Sequence, residues 1–380
     1  MPKTRLLLIN YEYPPLGGGA GTATAGLARA FTELGCEVVV LTSRFRGQPA
    51  RESSHGFTIV RVPVLRRRID RCNPVEMLTF LFSASVGALR LTRGWRPDMT
   101  IAFFGIPSGP VGLLLRTFRG IPYIVSLRGG DVPGFEWERI ARMYHVFTKP
   151  LLKFIWRRAH RVVANSRGLA DLAQQTTPEL RIAVAPNAVQ LPAHWPRSPA
   201  VNGRPTQLLT MGRLTQQKGI DLLFRALTQL RDKPFQLDIA GDGPERAALM
   251  RLSEELGLND RVRFLGWVGR DDLPRVFGNA DVFVLASHIE GMPNVVLEAM
   301  AYARPVVCTR VSGCEELVAD RVTGLTVDIG SESQLVAALR ELLSDAQLRS
   351  RMGAAGRARV EKEFVWTATA RIYLELAGVN

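Results

Sequence analysis

The chain has 380 residues, of which 46% are hydrophobic and 22% charged, enough apolar material for two domains with separate cores. No uninterrupted apolar run reaches the roughly 18 residues of a membrane-crossing helix, the run at 6–9 is too short for a secretion signal, and four cysteines exclude a disulfide-held scaffold. The net charge of +14 lies wholly in residues 1–190, with 26 Lys and Arg against 12 Asp and Glu, while 191–380 carry 23 of each.

In chain order, 5–9 reads as a short buried strand, followed by a Pro/Gly loop and a helix over 22–34 that Gly35 ends. Strands are expected at 37–42, 58–62, 99–103, 123–126 and 161–164, with helices within 75–93, 109–118 and 138–160 between them. Prolines and small polar residues then interrupt the pattern over 191–206, which reads as a linker. Alternation resumes with strands at 207–211, 235–240, 261–265, 282–285 and 305–309. Helices are expected at 219–230, 244–256 and 272–278, then after Glu290, and several close the chain. Strand–helix–strand units with β-branched runs predict α/β architecture: two doubly wound Rossmann-like domains facing a central cleft, where ligands of open sheets bind. The expected division is 1–190, the linker 191–206, 207–363, and a terminal helix over 364–380 that crosses back to the first domain.

Three segments carry candidate chemistry. Pro14-Pro15-Leu16-Gly17-Gly18-Gly19-Ala20-Gly21-Thr22 lets backbone approach a ligand closely at a helix start, or else is simply a tight turn. It is not a G-x-G-x-x-G fingerprint, because Thr22 stands at the third glycine and no acid ends the second strand, and G-K-[ST] is absent. In Gly212-Arg213-Leu214-Thr215-Gln216-Gln217-Lys218-Gly219, two cations sit between a strand and a helix, where they can hold a diphosphate and stabilise its growing charge as it departs. In Glu290-Gly-Met-Pro-Asn-Val-Val-Leu-Glu298, one carboxylate precedes a helix and the second lies about two turns along, roughly 12 Å away. One then reaches a sugar and the other a ribose, with free N–H groups at Met292 to Val295 adding a positive end. The alternative makes Glu298 a buried structural acid. No two Asp stand two positions apart, so the Asp-x-Asp metal signature is missing and the reading requires no metal or other cofactor.

Those segments, with Gly241-Asp242-Gly243-Pro244, Phe264-Leu265-Gly266-Trp267-Val268 and Ala185-Pro186-Asn187-Ala188-Val189, resemble the GT-B retaining glycosyltransferases of family 4 over nearly the whole chain. The resemblance implies that Arg213 and Lys218 hold the donor diphosphate, and that Glu290 with Gly291, Met292, Pro293, Asn294 and Val295 meets the sugar and phosphates. It also implies that Glu298 binds ribose, Val268 lies near the base, and Gly18 and Gly19 face the diphosphate from the other domain. Where members often carry His-Gly-x-Asp, this chain has Arg128-Gly129-Gly130-Asp131. Arg128 stays protonated and cannot be a general base; it orients a sugar hydroxyl, stabilises oxocarbenium–phosphate separation, or binds acceptor together with Asp131.

The implied activity is transfer of a hexose, with retention, from a nucleotide diphosphate sugar to an oligosaccharide or lipid-linked glycan. The expected setting is bacterial surface polysaccharide or glycolipid synthesis, in the cytoplasm. An epimerase of the same fold, or a non-catalytic polyanion-binding protein, are the alternatives; no nucleic-acid motif accompanies the basic half. The excess charge, with arginines at 44, 46, 51, 61, 66, 67, 68, 71, 90, 93 and 96, suits an anionic membrane surface or is a solvated face. Helix 138–160 interleaves Phe147, Phe154 and Trp156 with Lys149, Lys153, Arg157 and Arg158, which fits lipid headgroups or an ordinary amphipathic core helix.

Overall fold

The computed structural model describes residues 3–69, 72–135, 139–193 and 204–379. Most of the segment expected as a linker (194–203), and Arg71, lie outside the described residues. The chain forms two compact units, Met1–Ala188 with Trp366–Asn380, and Val189–Val365.

The first unit runs β1 (Arg5–Ile9), α1 (Gly19–Glu33), β2 (Glu37–Ser43), β3 (Arg51–Ser54), β4 (Phe57–Val62), α2 (Pro74–Gly94), β5 (Met99–Phe103), α3 (Gly109–Arg119), β6 (Tyr123–Leu127), α4 (Arg139–Arg158), β7 (Arg161–Ala164), α5 (Arg167–Thr176) and β8 (Ile182–Val184). Its sheet has the order β3-β4-β2-β1-β5-β6-β7-β8, parallel except where β3 pairs antiparallel with β4. The central strands are mainly apolar because helices cover both faces; β5 and β6 are buried at every residue, Thr100 and Ser126 included. β3 has no expectation in the sequence reading, since Arg-Glu-Ser-Ser shows no apolar alternation and becomes a strand only by pairing with β4. Helix α1 starts three residues earlier than expected, with Gly18 at its N-cap. Helix α2 opens with a capping box, Asn73 accepting from the Glu76 amide while Glu76 accepts from that of Asn73, and Pro74 in the first turn. By length and composition α2 is also able to cross a membrane, which the uninterrupted-run criterion missed because Thr, Ser and Gly punctuate it; here it packs on β2, β4 and α3.

The second unit runs β9 (Thr206–Met211), α6 (Ile220–Thr228), β10 (Phe235–Ala240), α7 (Arg246–Glu255), β11 (Val262–Gly266), α8 (Leu273–Asn279), β12 (Val282–Leu285), α9 (Asn294–Ala301), β13 (Val306–Thr309), α10 (Cys314–Leu317), β14 (Gly324–Val327), α11 (Glu332–Ser344) and α12 (Ala346–Glu363). Its strands are all parallel, in the order β11-β10-β9-β12-β13-β14. The last helix, α13 (Trp366–Ala377), belongs to the first unit and packs on α1, with Tyr373 and Ala370 in its core.

Each sheet has one point where the strand order turns outward in both directions. In the second unit it lies between β9 and β12, so the loops after these two strands diverge and leave a crevice at their carboxyl ends. The first unit has the same arrangement between β1 and β5.

Two of the arginines in the basic run are interior. Arg61 is 7% exposed and pairs with Glu52 at 2.7 Å. Arg66 is 8% exposed and donates to the carbonyls of Tyr11, Arg68 and Ile69, pinning 66–69 to the loop after β1. The basic half is therefore partly internal scaffolding, not only a solvated or ligand-facing surface.

Candidate active site

Lys218 and Glu290, both singled out in the second unit, meet at the crevice between β9 and β12. Gly212, with φ +154°, ends β9; the chain then turns through a single helical turn at Gln216–Lys218 and enters α6 at Gly219. This turn is locked from two sides by backbone contacts that only glycine permits. A Cβ on Gly219 would lie 2.2 Å from the Ala286 carbonyl oxygen, and one on Gly241 would lie 1.9 Å from that of Gly212. Both also have positive φ. Gly241→Ala is expected to destabilise the protein by more than about 2 kcal/mol, read as a lower thermal midpoint, because backbone and not a flexible side chain must yield.

Across the crevice, the loop after β12 is tied to the same turn. Gln217 Nε2 donates to the Ile289 carbonyl at 2.7 Å, and the His288 amide donates to the Gln217 carbonyl at 2.8 Å. These bonds place Lys218 Nζ 2.5 Å from Glu290 Oε1, which also accepts from Ser287 Oγ at 2.7 Å. Both partners are largely buried, with side chains 18% and 11% exposed, so the pair is a fixed feature and not a fluctuating surface contact. Arg213, on the same turn, is exposed and makes no hydrogen bond or ion pair with a described residue. A structured cation–carboxylate pair beside an uncommitted guanidinium can hold a phosphorylated, hydroxyl-bearing ligand: the guanidinium takes phosphate oxygens, while Lys218 and Glu290 offer a donor and an acceptor.

Helix α9 differs from the expectation in one respect. It begins at Asn294, after Pro293 at the N-cap, so Glu298 is its fifth residue, just over one turn in and not two. Proline fixes the approach as extended chain, and Gly291 and Met292 pack as loop against Gly313, where a Cβ would lie 2.6 Å from the Gly291 carbonyl oxygen. The Glu298 carboxylate accepts no hydrogen bond from a described residue. Burial pushes its carboxyl up to about 7, with Arg270 pulling weakly the other way. Val268, in the loop after β11, packs against the α9 side of the core, while its neighbour Trp267 is exposed. Cys308 and Cys314 are free and buried beneath this site; contact with Cys308, burial and the Glu290 charge hold the Cys314 thiol well above its usual range.

In the first unit, Gly18 and Gly19 stand at the start of α1, both exposed. Sequence reasoning gave no role to Glu12, whose Oε2 accepts from the Gly18 amide at 3.4 Å and lies where a Cβ on Gly17 would fall. A carboxylate thus occupies the anion-attracting end of this helix. Its position three residues after a buried strand, facing a glycine loop, was the available signal.

Arg128 is held inside the unit. It donates to Asn187 Oδ1 at 2.6 Å, Ser126 Oγ at 2.8 Å and Tyr373 Oη at 3.3 Å, and stacks on Phe103 with 4.7 Å to the ring centroid. Asp131 is likewise committed, accepting from the amides of Arg128, Gly129 and Gly105 at 2.9, 3.1 and 2.8 Å. Burial raises its pKa, against the opposing pull of those amides. Arg128 therefore joins β6 and α13, and Asp131 closes the loop after β6. Both side chains are engaged within the unit, with Arg128 Nε alone left without a partner among the described residues.

Comparison with known proteins agrees with this geometry. The family model described as Glycosyl transferases group 1 matches residues 193–359, and that described as Glycosyl transferase 4-like domain matches 18–188. The D-inositol 3-phosphate glycosyltransferase of Arthrobacter sp. (strain FB24) is 30% identical, over 96% of this chain and 91% of that protein. Among solved structures, sucrose-phosphate synthase from Thermosynechococcus elongatus superposes with a TM-score of 0.86 at 23% identity, covering 99% of this chain and 100% of that one. Anabaena HepE in complex with UDP-glucose does so with a TM-score of 0.76 at 19% identity, covering 98% and 99%. The chain belongs to the group 1 glycosyltransferases, with two parallel-sheet Rossmann-like units of GT-B type.

Proposed function

We propose that this glycosyltransferase moves a hexose, with retention and without a metal, from a nucleoside diphosphate sugar to an oligosaccharide or lipid-linked glycan in cell-surface polysaccharide or glycolipid synthesis. The observation that carries the reading is the Lys218–Glu290–Ser287 cluster at the crevice between β9 and β12, with Arg213 uncommitted beside it. That Anabaena HepE, of the same fold, binds UDP-glucose supports a nucleotide-sugar donor.

In this proposal Arg213 and Lys218 take the diphosphate oxygens, Glu290 and the segment Gly291–Val295 receive the sugar and phosphates, and Glu298 accepts from the ribose hydroxyls. Val268 lines the base, while the Gly18 amide in the first unit is already taken by Glu12. As the glycosidic bond breaks, negative charge grows on the leaving diphosphate; Lys218, Arg213 and the start of α9 stabilise it more than the ground state, which lowers the barrier. The departing phosphate oxygen takes the acceptor proton on the same face of the sugar, so retention needs no side-chain nucleophile. Arg128 acts by joining β6 to α13 and not as an acid or base.

The test is incubation with a panel of UDP- and GDP-hexoses, with and without glycan acceptors, and assignment of the product anomer by NMR. A retained anomer formed only with acceptor supports the proposal. An inverted anomer contradicts it, and conversion of donor without acceptor identifies an epimerase.

A further inference from the structure

Helix α4 has two apolar faces, of which the first unit uses one. Leu152, Ile155 and Trp156 are buried, against the turn that carries Gly105 and Gly109. Met143, Val146, Phe147, Leu151 and Phe154 recur at i, i+3, i+4, i+8 and i+11 and all face outward, Met143, Val146 and Phe147 being 64%, 66% and 79% exposed. A continuous exposed stripe of this kind is uncommon on a protein that works alone in water.

The neighbouring helices expose apolar residues too. Helix α3 packs against both α2 and α4, and it carries Phe118, 71% exposed, while α2 exposes Val75, Leu78 and Phe82. The sequences of α2, α3 and α4 together hold ten Lys and Arg against one acid, Glu76. That acid is engaged in capping its own helix. On α4, Lys149 and Lys153 accompany the apolar stripe, and the Arg158 guanidinium lies over the Phe154 ring at 3.8 Å. Where α3 and α4 end, a hollow of about 410 Å³ is lined by Arg116, Gly120, Pro122, Ala159 and His160.

We propose that the α2–α3–α4 layer of the first unit docks on an anionic phospholipid surface, with α4 lying in the interface. Such a surface supplies both things the layer lacks, apolar cover for the stripe and negative charge for the cations. A second copy supplies the first but not the second: two such faces brought together would set like charges such as Lys149 and Lys153 against each other. The inference concerns where the enzyme works and is independent of which sugar it transfers.

The test is flotation of the full chain with phosphatidylcholine vesicles, with and without phosphatidylglycerol, at low and high salt. The wild type is expected to bind the phosphatidylglycerol vesicles and to release at high salt. Val146→Asp with Phe147→Asp is expected to lower partition by about ten-fold or more, with an unchanged thermal midpoint, since both side chains are exposed. Lys149→Ser with Lys153→Ser is expected to reduce the preference for phosphatidylglycerol. Absence of wild-type binding, equal binding to neutral vesicles, or full retention by the Val146/Phe147 variant would overturn the proposal. So would wild-type self-association in sedimentation that this variant abolishes, which would assign the face to a second copy.

Discussion

Replacing Lys218 by alanine is expected to lower stability and catalysis together. Glu290 receives two side-chain hydrogen bonds, from Lys218 Nζ at 2.5 Å and Ser287 Oγ at 2.7 Å, in a site where it is 11% exposed. Removing the ammonium leaves a largely buried carboxylate with only a hydroxyl for company. The cost is about 2–4 kcal/mol of folding stability, toward the lower end because the pair is not fully enclosed. Catalysis falls further, since the same ammonium is proposed to meet the leaving diphosphate; kcat/KM is expected to drop by about 100-fold or more. Lys218→Ala with Glu290→Gln separates the two effects. The second change removes the stranded charge, so the thermal midpoint should largely recover while activity does not. Recovery of both would place Lys218 in scaffolding alone.

The second large effect is a pH dependence carried by Glu298. Its carboxyl titrates near 7 in the folded chain against 4.5 ordinarily, because burial penalises the charge more than Arg270 relieves it. A raised carboxyl favours the proton in the folded state. Glu298 therefore contributes stability that is fully present below about pH 4.5 and is lost as pH rises to about 7, up to about 3 kcal/mol in all. Ribose hydroxyls donate more strongly to the carboxylate than to the acid, so donor binding has the opposite sign: affinity should rise as pH increases toward 7 and level off above it. Glu298→Gln is expected to remove both trends, leaving ligand-free stability flatter between these pH values and donor affinity weak throughout. Donor affinity in the wild type that does not change between pH 5 and 8, about two units below and one above that midpoint, would remove Glu298 from the ribose site.

The sheet cores were legible because strands covered on both faces are written as mainly apolar runs, with alternation in β10; β1, β5, β10 and β12 fall where the pattern puts them. β3 was not, because its pairing and not its composition makes it a strand. The glycines at 212, 219 and 241 could be read as a turn, but their reason lies in carbonyls of other segments that approach within 2.2 Å of a notional Cβ at Gly219 and Gly241. The Lys218–Glu290 pair spans 72 residues and depends on β9 lying beside β12, which no local pattern states. Helix α4 was partly legible. Seven-residue spacing puts Phe147 and Phe154 on one face and leaves Trp156 on the other, so the aromatics expected to act together divide between solvent and core. Arg128 was the least legible, since its partners Asn187 and Tyr373 come from 59 and 245 residues away.

The measurement that bears most directly on the proposed diphosphate site is calorimetric titration of a nucleoside diphosphate and its parent nucleoside into wild type, Arg213→Ala and Lys218→Ala. Convergence of both cations on a diphosphate predicts that the wild type prefers the diphosphate by about 100-fold and that each substitution removes about ten-fold of that preference, leaving nucleoside binding nearly unchanged. Preference for the diphosphate undiminished in both variants would contradict it.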